Sequence, residues 1–149
     1  MTNESPDNAE TADVILAWYA GDDEAVALEG LLATDVVAVD WMSPGERFIG
    51  REAFVEQMMN ASATAFPDAA EEMLATVFDG CALMIHAIFR ATFAGDYFGV
   101  KAHGGPLEYE IVDRWEIRDG VITEVYFGAN SSAAWEQIRS VGARELGDA

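Results

Sequence analysis

The chain has 149 residues, 27 of them acidic and 8 basic, for a net charge of −19. That length suits one domain, 1–149, with a core large enough to fold without staples, and 51% hydrophobic residues exclude a disordered chain. The charge disfavours nucleic acid and anionic membranes as partners, and no run reaches the roughly 18 apolar residues that a membrane span needs. The polar, acidic start from Met1 to Asp7 lacks the basic and apolar regions of a signal peptide, which predicts a cytoplasmic protein. Lys101 is the sole lysine, and an acidic, lysine-poor surface suits a high-salt cytoplasm in which screening removes self-repulsion. A single cysteine, Cys81, excludes an intrachain disulfide; beside an apolar run it reads as a buried, inert thiol.

In chain order, residues 1–7 read as a flexible tip, with Ser5-Pro6 an alternative helix start, and 8–20 as a helix with Ala12, Ile15, Trp18 and Tyr19 inward. Gly21 ends it, and Asp22 or Asp23 caps a second helix carrying Ala25, Leu28, Leu31 and Leu32. The β-branched run from Val36 to Met42 predicts a strand, and Ser43-Pro44-Gly45-Glu46 a turn. A third helix over 51–64 carries Phe54, Val55, Met58 and Met59 inward and ends before Phe66-Pro67-Asp68. Strands follow near 70–79, 82–94, 106–118 and 121–128, with Asp79-Gly80 and Asp119-Gly120 as hairpin turns. Ser131 or Ser132 caps a short last helix with Trp135 and Ile138, and 142–149 reads as a second flexible tail. Helices followed by a long antiparallel sheet make an α+β fold, with about three to four helices over one face of a curved, cone-shaped sheet.

Alternation along 107–118 places Leu107, Tyr109, Ile111, Asp113, Trp115 and Ile117 on one strand face and Glu108, Glu110, Arg114, Glu116 and Arg118 on the other. Asp113 is therefore a lone carboxylate among apolar neighbours, either held by a structural hydrogen bond or facing a pocket. Around Asp40 both strand faces are apolar, so its direction stays open between a turn residue and a second pocket acid. His86 shares a face with Met84, Ile88, Arg90 and Thr92, which fits an interface residue or a pocket residue. His103 sits in a glycine-rich loop, and the two histidines lack metal-ligand spacing. Trp18, Trp41, Tyr97, Trp115 and Tyr126, with six methionines, suit either a core or a pocket for a flat apolar molecule. No capped helix follows Gly95, Gly99, Gly104 and Gly105, which argues against a nucleotide site.

Four motifs occur in a familiar order. Gly50-Arg51-Glu52-Ala53-Phe54 resembles the start of the third helix in nuclear transport factor 2-like proteins, a cystatin-like fold. Ala65-Phe66-Pro67-Asp68, the stretch Arg90 to Gly99 and Asp119-Gly120-Val121-Ile122-Thr123-Glu124 are similar to segments of SnoaL-like polyketide cyclases. The resemblance spans roughly 9–141. Phe93, Tyr126 and Asn130 replace residues that group usually carries as histidine, tryptophan and an acid/base aspartate. Asp40 and Asp113 fall where ketosteroid isomerases, another branch of the superfamily, place a general base and an acidic hydrogen-bond donor, while the isomerase's first-helix tyrosine falls on Val14.

The resemblance implies a small-molecule pocket, a homodimer formed through the open sheet face, and proton-transfer chemistry such as cyclisation or isomerisation of a carbonyl compound. Asp40 and Asp113 are then the catalytic pair. Trp18, Trp41, Phe54, Met58, His86, Tyr109, Ile111, Trp115, Tyr126 and Asn130 are the expected pocket residues, with an apolar or aromatic ligand and neither cofactor nor metal. The alternative is a ligand-binding or accessory domain of the same fold without catalysis.

Overall fold

The computed structural model describes residues 4–22, 25–40 and 47–128. The expected last helix, the turn at 43–46, Trp41 and Asn130 lie outside these residues. Helix α1 (Glu4–Tyr19) begins four residues before the expected start, and α2 (Ala25–Gly30) leads directly into strand β1 (Leu32–Asp40). A short strand not foreseen in the sequence, β2 (Arg47–Ile49), precedes a third helix, α3. This helix runs through α-helical Arg51–Ala53, a π-helical stretch Phe54–Met59 and α-helical Asn60–Ala65. Strands β3 (Ala70–Phe78), β4 (Ala82–Thr92), β5 (Pro106–Arg118) and β6 (Val121–Phe127) then form hairpins in sequence.

The six strands lie in the order β2-β1-β6-β5-β4-β3, an open, curved α+β sheet with three helices among the described residues. All pairs are antiparallel except β1 with β6, which is parallel. That exception has a topological cause. After β1 the chain passes through β2, α3 and three further strands before β6 returns beside it, so no tight hairpin joins the two. Register shifts occur in β1 between Leu32 and Val37, in β3 between Met73 and Ala75, and in β6 at Thr123, opposite the step from Glu116 to Ile117. Each extra residue bends its strand, which curls the sheet around its concave face.

The predicted alternation of β5 is met residue for residue: Leu107, Tyr109, Ile111, Asp113, Trp115 and Ile117 are all buried. With Ile15 and Tyr19 of α1, Leu28 of α2, Phe54 of α3 and Leu83 and Ile85 of β4, they build the core between helices and sheet. Each such large apolar side chain contributes about 1.5–3 kcal/mol by leaving water.

Three hydrogen bonds seat helix α1. Asn8 Nδ2 donates to the Gly80 carbonyl at 2.8 Å, and the Gly120 N–H donates to Asn8 Oδ1 at 2.7 Å. Thr11 Oγ1 also donates to the Gly120 carbonyl, at 2.6 Å. Helix α1 is thus tied to both hairpin turns, which explains why two polar side chains are buried in its first half. Asp119 (φ 53) and Gly120 (φ 78) both have positive φ, as a two-residue type I′ hairpin turn demands.

The two loop motifs also have structural work. Arg51 points Nε and Nη2 at the Leu32 carbonyl, at 3.1 and 2.6 Å, where the register of β1 shifts. Asp68 accepts the N–H and the hydroxyl of Thr92, both at 2.7 Å, joining the end of α3 to the end of β4. These bonds hold the Asp68 carboxyl below its ordinary proton affinity. Cys81 is exposed at the β3–β4 turn, not buried as its apolar neighbours suggested. Asp79 Oδ1 accepts the N–H groups of Cys81 and Ala82, so the turn holds residue 81 outside the strand pattern. Among the described residues no helix is long and apolar enough to cross a membrane.

Gly95 offers a direct test of the α3–β4 junction. A Cβ there would lie 2.6 Å from the Thr64 carbonyl oxygen, whereas one on Gly30 would meet nothing within 4 Å. In urea melts, Gly95→Ala is expected to lose about 1–3 kcal/mol at unchanged m-value. Gly30→Ala should shift stability by less than about 1 kcal/mol, in the stabilising direction.

Candidate functional site

Strand pairing puts two carboxylates in one row of the concave face. Asp40, the last residue of β1, pairs with Phe127 of β6, and Arg114 of β5 pairs with Tyr126, so Asp113 stands one step along, opposite Phe127. Residues in one row share a face, and two strand spacings separate Asp40 from Asp113 by about 10 Å between Cα atoms. A second row on this face runs Tyr109, Phe89, Glu71 across β5, β4 and β3.

Helix α1 and the π-helical stretch of α3 close over these rows and leave a cavity of about 440 Å³. Trp18, Met58, Phe66, Phe89, Ile111 and Phe127 supply most of its apolar wall, while Tyr19, Tyr97, Tyr109, Asp40, Asp113 and Glu71 supply polar groups. The walls are rigid aromatic contacts: Phe89 stacks on Tyr109 at 5.1 Å between centroids, and Phe66 meets Phe89 edge-on at 5.4 Å. The π-helical stretch has its own consequence. The Asn60 N–H reaches back five residues to the Val55 carbonyl, and this wide turn and the residues after it present Met58, Met59 and Ser62 to the cavity.

Both aspartates are buried and each is met by a phenol. Tyr19 donates to Asp113 Oδ2 at 2.5 Å, and the Gly128 N–H donates to Asp113 Oδ1 at 2.8 Å. Trp115 Nε1 in turn donates to the Tyr19 oxygen at 3.0 Å, forming a chain of three groups. Tyr97 donates to Asp40 Oδ2 at 3.1 Å, and Ser62 bonds to the Tyr97 hydroxyl.

Burial pushes the Asp113 carboxyl up to about 6; the Tyr19 and Gly128 bonds oppose the shift, and the charge of Asp40 adds to it. Burial, then Asp113, raises Glu71 to about 8. The phenols of Tyr97 and Tyr109 are held far above their ordinary range, first by burial and then by Asp40. At neutral pH the cavity therefore holds an ionised Asp113 and a protonated Glu71.

The expected pocket residues divide into three groups. Asp40, Asp113, Trp18, Met58, Tyr109 and Ile111 line the cavity. Phe54 and Trp115 stand behind its wall, fully buried against Phe127. His86 and Tyr126 are on the opposite, convex face, which corrects their expected place in the pocket. His86 Nε2 meets Glu110 Oε2 at 2.6 Å, and Tyr126 lies under the Arg114 guanidinium at 4.4 Å. The alternation that turns Asp113 inward turns these neighbours outward.

Val14 is half-buried against the core, and the first-helix phenol at the site is Tyr19. Glu71, Phe66 and Phe89 were not anticipated as site residues. His103 is held by its loop, accepting the Gly105 N–H at 2.9 Å and meeting Phe93 edge-on. Among the described residues no three His, Cys, Asp or Glu side chains converge as a metal site requires.

The SnoaL-like polyketide cyclase family model matches residues 13–138. No curated protein is matched by sequence. Similar solved structures include a candidate SnoaL-like polyketide cyclase from Jannaschia sp. CCS1, with TM-score 0.75 and 14% identity over 93% of this chain and 97% of that one. A candidate hydroxylase, AclR, from Streptomyces galilaeus has TM-score 0.65 and 19% identity, covering 95% and 98%. A candidate polyketide cyclase from Xanthomonas campestris pv. campestris has TM-score 0.66 and 21% identity, covering 89% and 98%.

The Tyr19–Asp113 bond has a measurable signature. Tyr19→Phe removes a bond that stabilises the ionised carboxylate, so the Asp113 pKa, read by carboxylate ¹³C NMR, is expected to rise above its starting value of about 6. Asp113 binds protons more tightly folded than unfolded, so it contributes stability below its unfolded pKa and loses that contribution as pH rises to about 6. In the variant the loss should continue to higher pH, making its deficit in denaturant melts larger at pH 8 than at pH 5.

Proposed function

Because the chain belongs to the SnoaL-like polyketide cyclase family, we propose that it is a cofactor-independent enzyme moving a proton next to the carbonyl of a flat, largely apolar molecule. Cyclisation and isomerisation both begin with that step. The observation that carries this reading is the pair of buried carboxylates, each bonded to a phenol, in one row of an aromatic-walled cavity. A solvated pair would perturb no pKa and have no reason to be enclosed.

In this reading Asp40 is the base and takes the proton α to the carbonyl. The oxygen of the developing enolate is met by Tyr19. With Asp113 protonated, its O–H donates to Tyr19, which still accepts from Trp115 and turns its own proton toward the ligand oxygen. With Asp113 ionised, the Tyr19 proton is held by the carboxylate. Enclosing an apolar ligand removes water from the cavity and favours the protonated form. The convex face, carrying Met84, Val77 and the His86–Glu110 pair, is assigned to a homodimer contact.

A simple ketone tests the chemistry. With 2-acetylnaphthalene in D₂O, methyl-hydrogen exchange followed by NMR should be accelerated by the wild type and slowed roughly 10²–10⁴-fold in Asp40→Asn. Tyr19→Phe should slow it while preserving probe binding. The rate should fall as pH rises past the point where Asp113 ionises, about 6 in the free protein. Probe binding without exchange in the wild type would instead favour a non-catalytic ligand-binding domain. Light scattering is expected to give twice the mass of the chain, and a monomer would refute the assignment of the convex face.

A further inference from the structure

Neither couple above uses Glu71, a further acid of the cavity. Glu71 is the second residue of the edge strand β3, partly buried, with its side chain on the concave face beside Phe89. Its neighbour Glu72 points the other way and pairs with Arg90 at 3.0 Å. Among the described residues, unlike Asp40 and Asp113, Glu71 has neither a hydrogen bond nor an ion pair, and it opens onto the cavity. The ionisable groups that face it are Tyr19 from α1 and Asp113 and Tyr109 from β5, with Asp40 of β1 and Glu29 of α2 elsewhere on the wall. None of these carries a positive charge, and among the described residues the wall contains no lysine, arginine or histidine.

A carboxyl in such a setting gains nothing from ionising, because it would add a charge near Asp113 without a cation to balance it. Protonated, it carries an O–H donor for which none of the described residues supplies an acceptor. In the open cavity that donor faces water, and once an apolar ligand displaces the water the donor is left unmatched, which is costly, so the partner it fits is on the ligand.

We infer that Glu71 is a specificity-determining residue of the cavity, donating a hydrogen bond to an uncharged oxygen acceptor on the ligand at the end remote from Asp40. The inference rests on the cavity reading proposed above and deepens it. The strand order puts Asp113 midway, two strands from Asp40 and two from Glu71. Glu71 lies two strands across and four residues along the sheet from Asp113, about 16 Å between Cα atoms, and with both side chains reaching into the cavity a ligand carbonyl held by Tyr19 has its second oxygen directed at Glu71. The implied ligand class is a neutral, flat molecule with carbonyl oxygens at both ends. A carboxylate at the second end would meet acids on every side and is rejected.

The raised proton affinity of Glu71, about 8, gives the test its pH axis. Three probes of one shape are compared by isothermal titration: 2,6-diacetylnaphthalene, 2-acetylnaphthalene and 6-acetyl-2-naphthoate. At pH 6.5 the wild type should bind the diketone about tenfold more tightly than the monoketone, a 1.4 kcal/mol difference, and the naphthoate more weakly than either. The diketone advantage should disappear in Glu71→Ala, and in the wild type above pH 9. Glu71→Gln keeps an N–H donor that does not titrate, and should retain the advantage at both pH values. Retention in Glu71→Ala, or the same pH-dependent loss in Glu71→Gln as in the wild type, would overturn the role of Glu71. Equal binding of mono- and diketone by the wild type would do so too, leaving the cavity reading intact. Failure of every probe to bind would overturn both.

Discussion

The structure depends on a single constraint: carboxylates buried on the concave face of an open sheet must be matched there. An unmatched buried charge costs several kcal/mol, enough to consume a large part of a small domain's stability. Asp113 meets the constraint with two donors, Tyr19 and the Gly128 N–H, and Asp40 has the phenol of Tyr97. The donors come from different parts of the chain. Tyr19 ends the first helix, Tyr97 lies in the loop after β4, and Gly128 follows β6. Satisfying two aspartates thus fixes where a helix, a loop and the end of a strand meet.

The secondary contacts then read as devices for holding those donors in place. Tyr19 reaches Asp113 because α1 is anchored at its other end by Asn8 and Thr11 to the two hairpin turns. Ser62 meets Tyr97 because α3 is fixed at its start by Arg51 on the Leu32 carbonyl and at its end by the packing of Gly95 under Thr64. The Phe66-Pro67-Asp68 segment serves both purposes. Asp68 ties the chain to Thr92, and Phe66 turns into the cavity wall against Tyr97 at 4.9 Å. These motifs resemble family signatures, and here their work is positional: they set the geometry of a site whose ionisable groups lie elsewhere in the sequence.

How much of this was legible in the sequence follows from the strength of the period-two signal. β5 alternates without interruption over its length, so the inward direction of Asp113 and the outward direction of Arg114 could be read directly. In β1 both faces are apolar because one packs on the core and the strand is central between β2 and β6, so Asp40 carried no direction. Glu71 was hidden for another reason. Ala70-Glu71-Glu72-Met73 offers two adjacent acids, and the irregularity between Met73 and Ala75 shifts the phase of everything that follows. Tyr19 was visible as an inward residue but not as a site residue, since its role depends on a long-range meeting with Asp113, 94 positions away. Exposed Cys81 shows the converse error, in which a turn interrupts a pattern that looked continuous.

What distinguishes this cavity electrostatically is that its acids do not share one proton affinity. Asp113 is raised to about 6 against the resistance of two donors, while Glu71, with none, is raised to about 8. Burial raises both, and the less buried Glu71 is raised further because Asp113 has two donors opposing its shift while Asp113 itself acts on Glu71. Two acids with distinct proton affinities in one apolar space supply an acceptor and a donor at the same pH. The ordering is self-reinforcing, since ionised Asp113 keeps Glu71 protonated and a neutral Glu71 adds no charge to oppose the ionisation of Asp113. Protonating Asp113 would release both the Tyr19 proton and its pressure on Glu71. The concave face is therefore a coupled system, in which any ligand that shifts the proton on one acid changes what the other can offer.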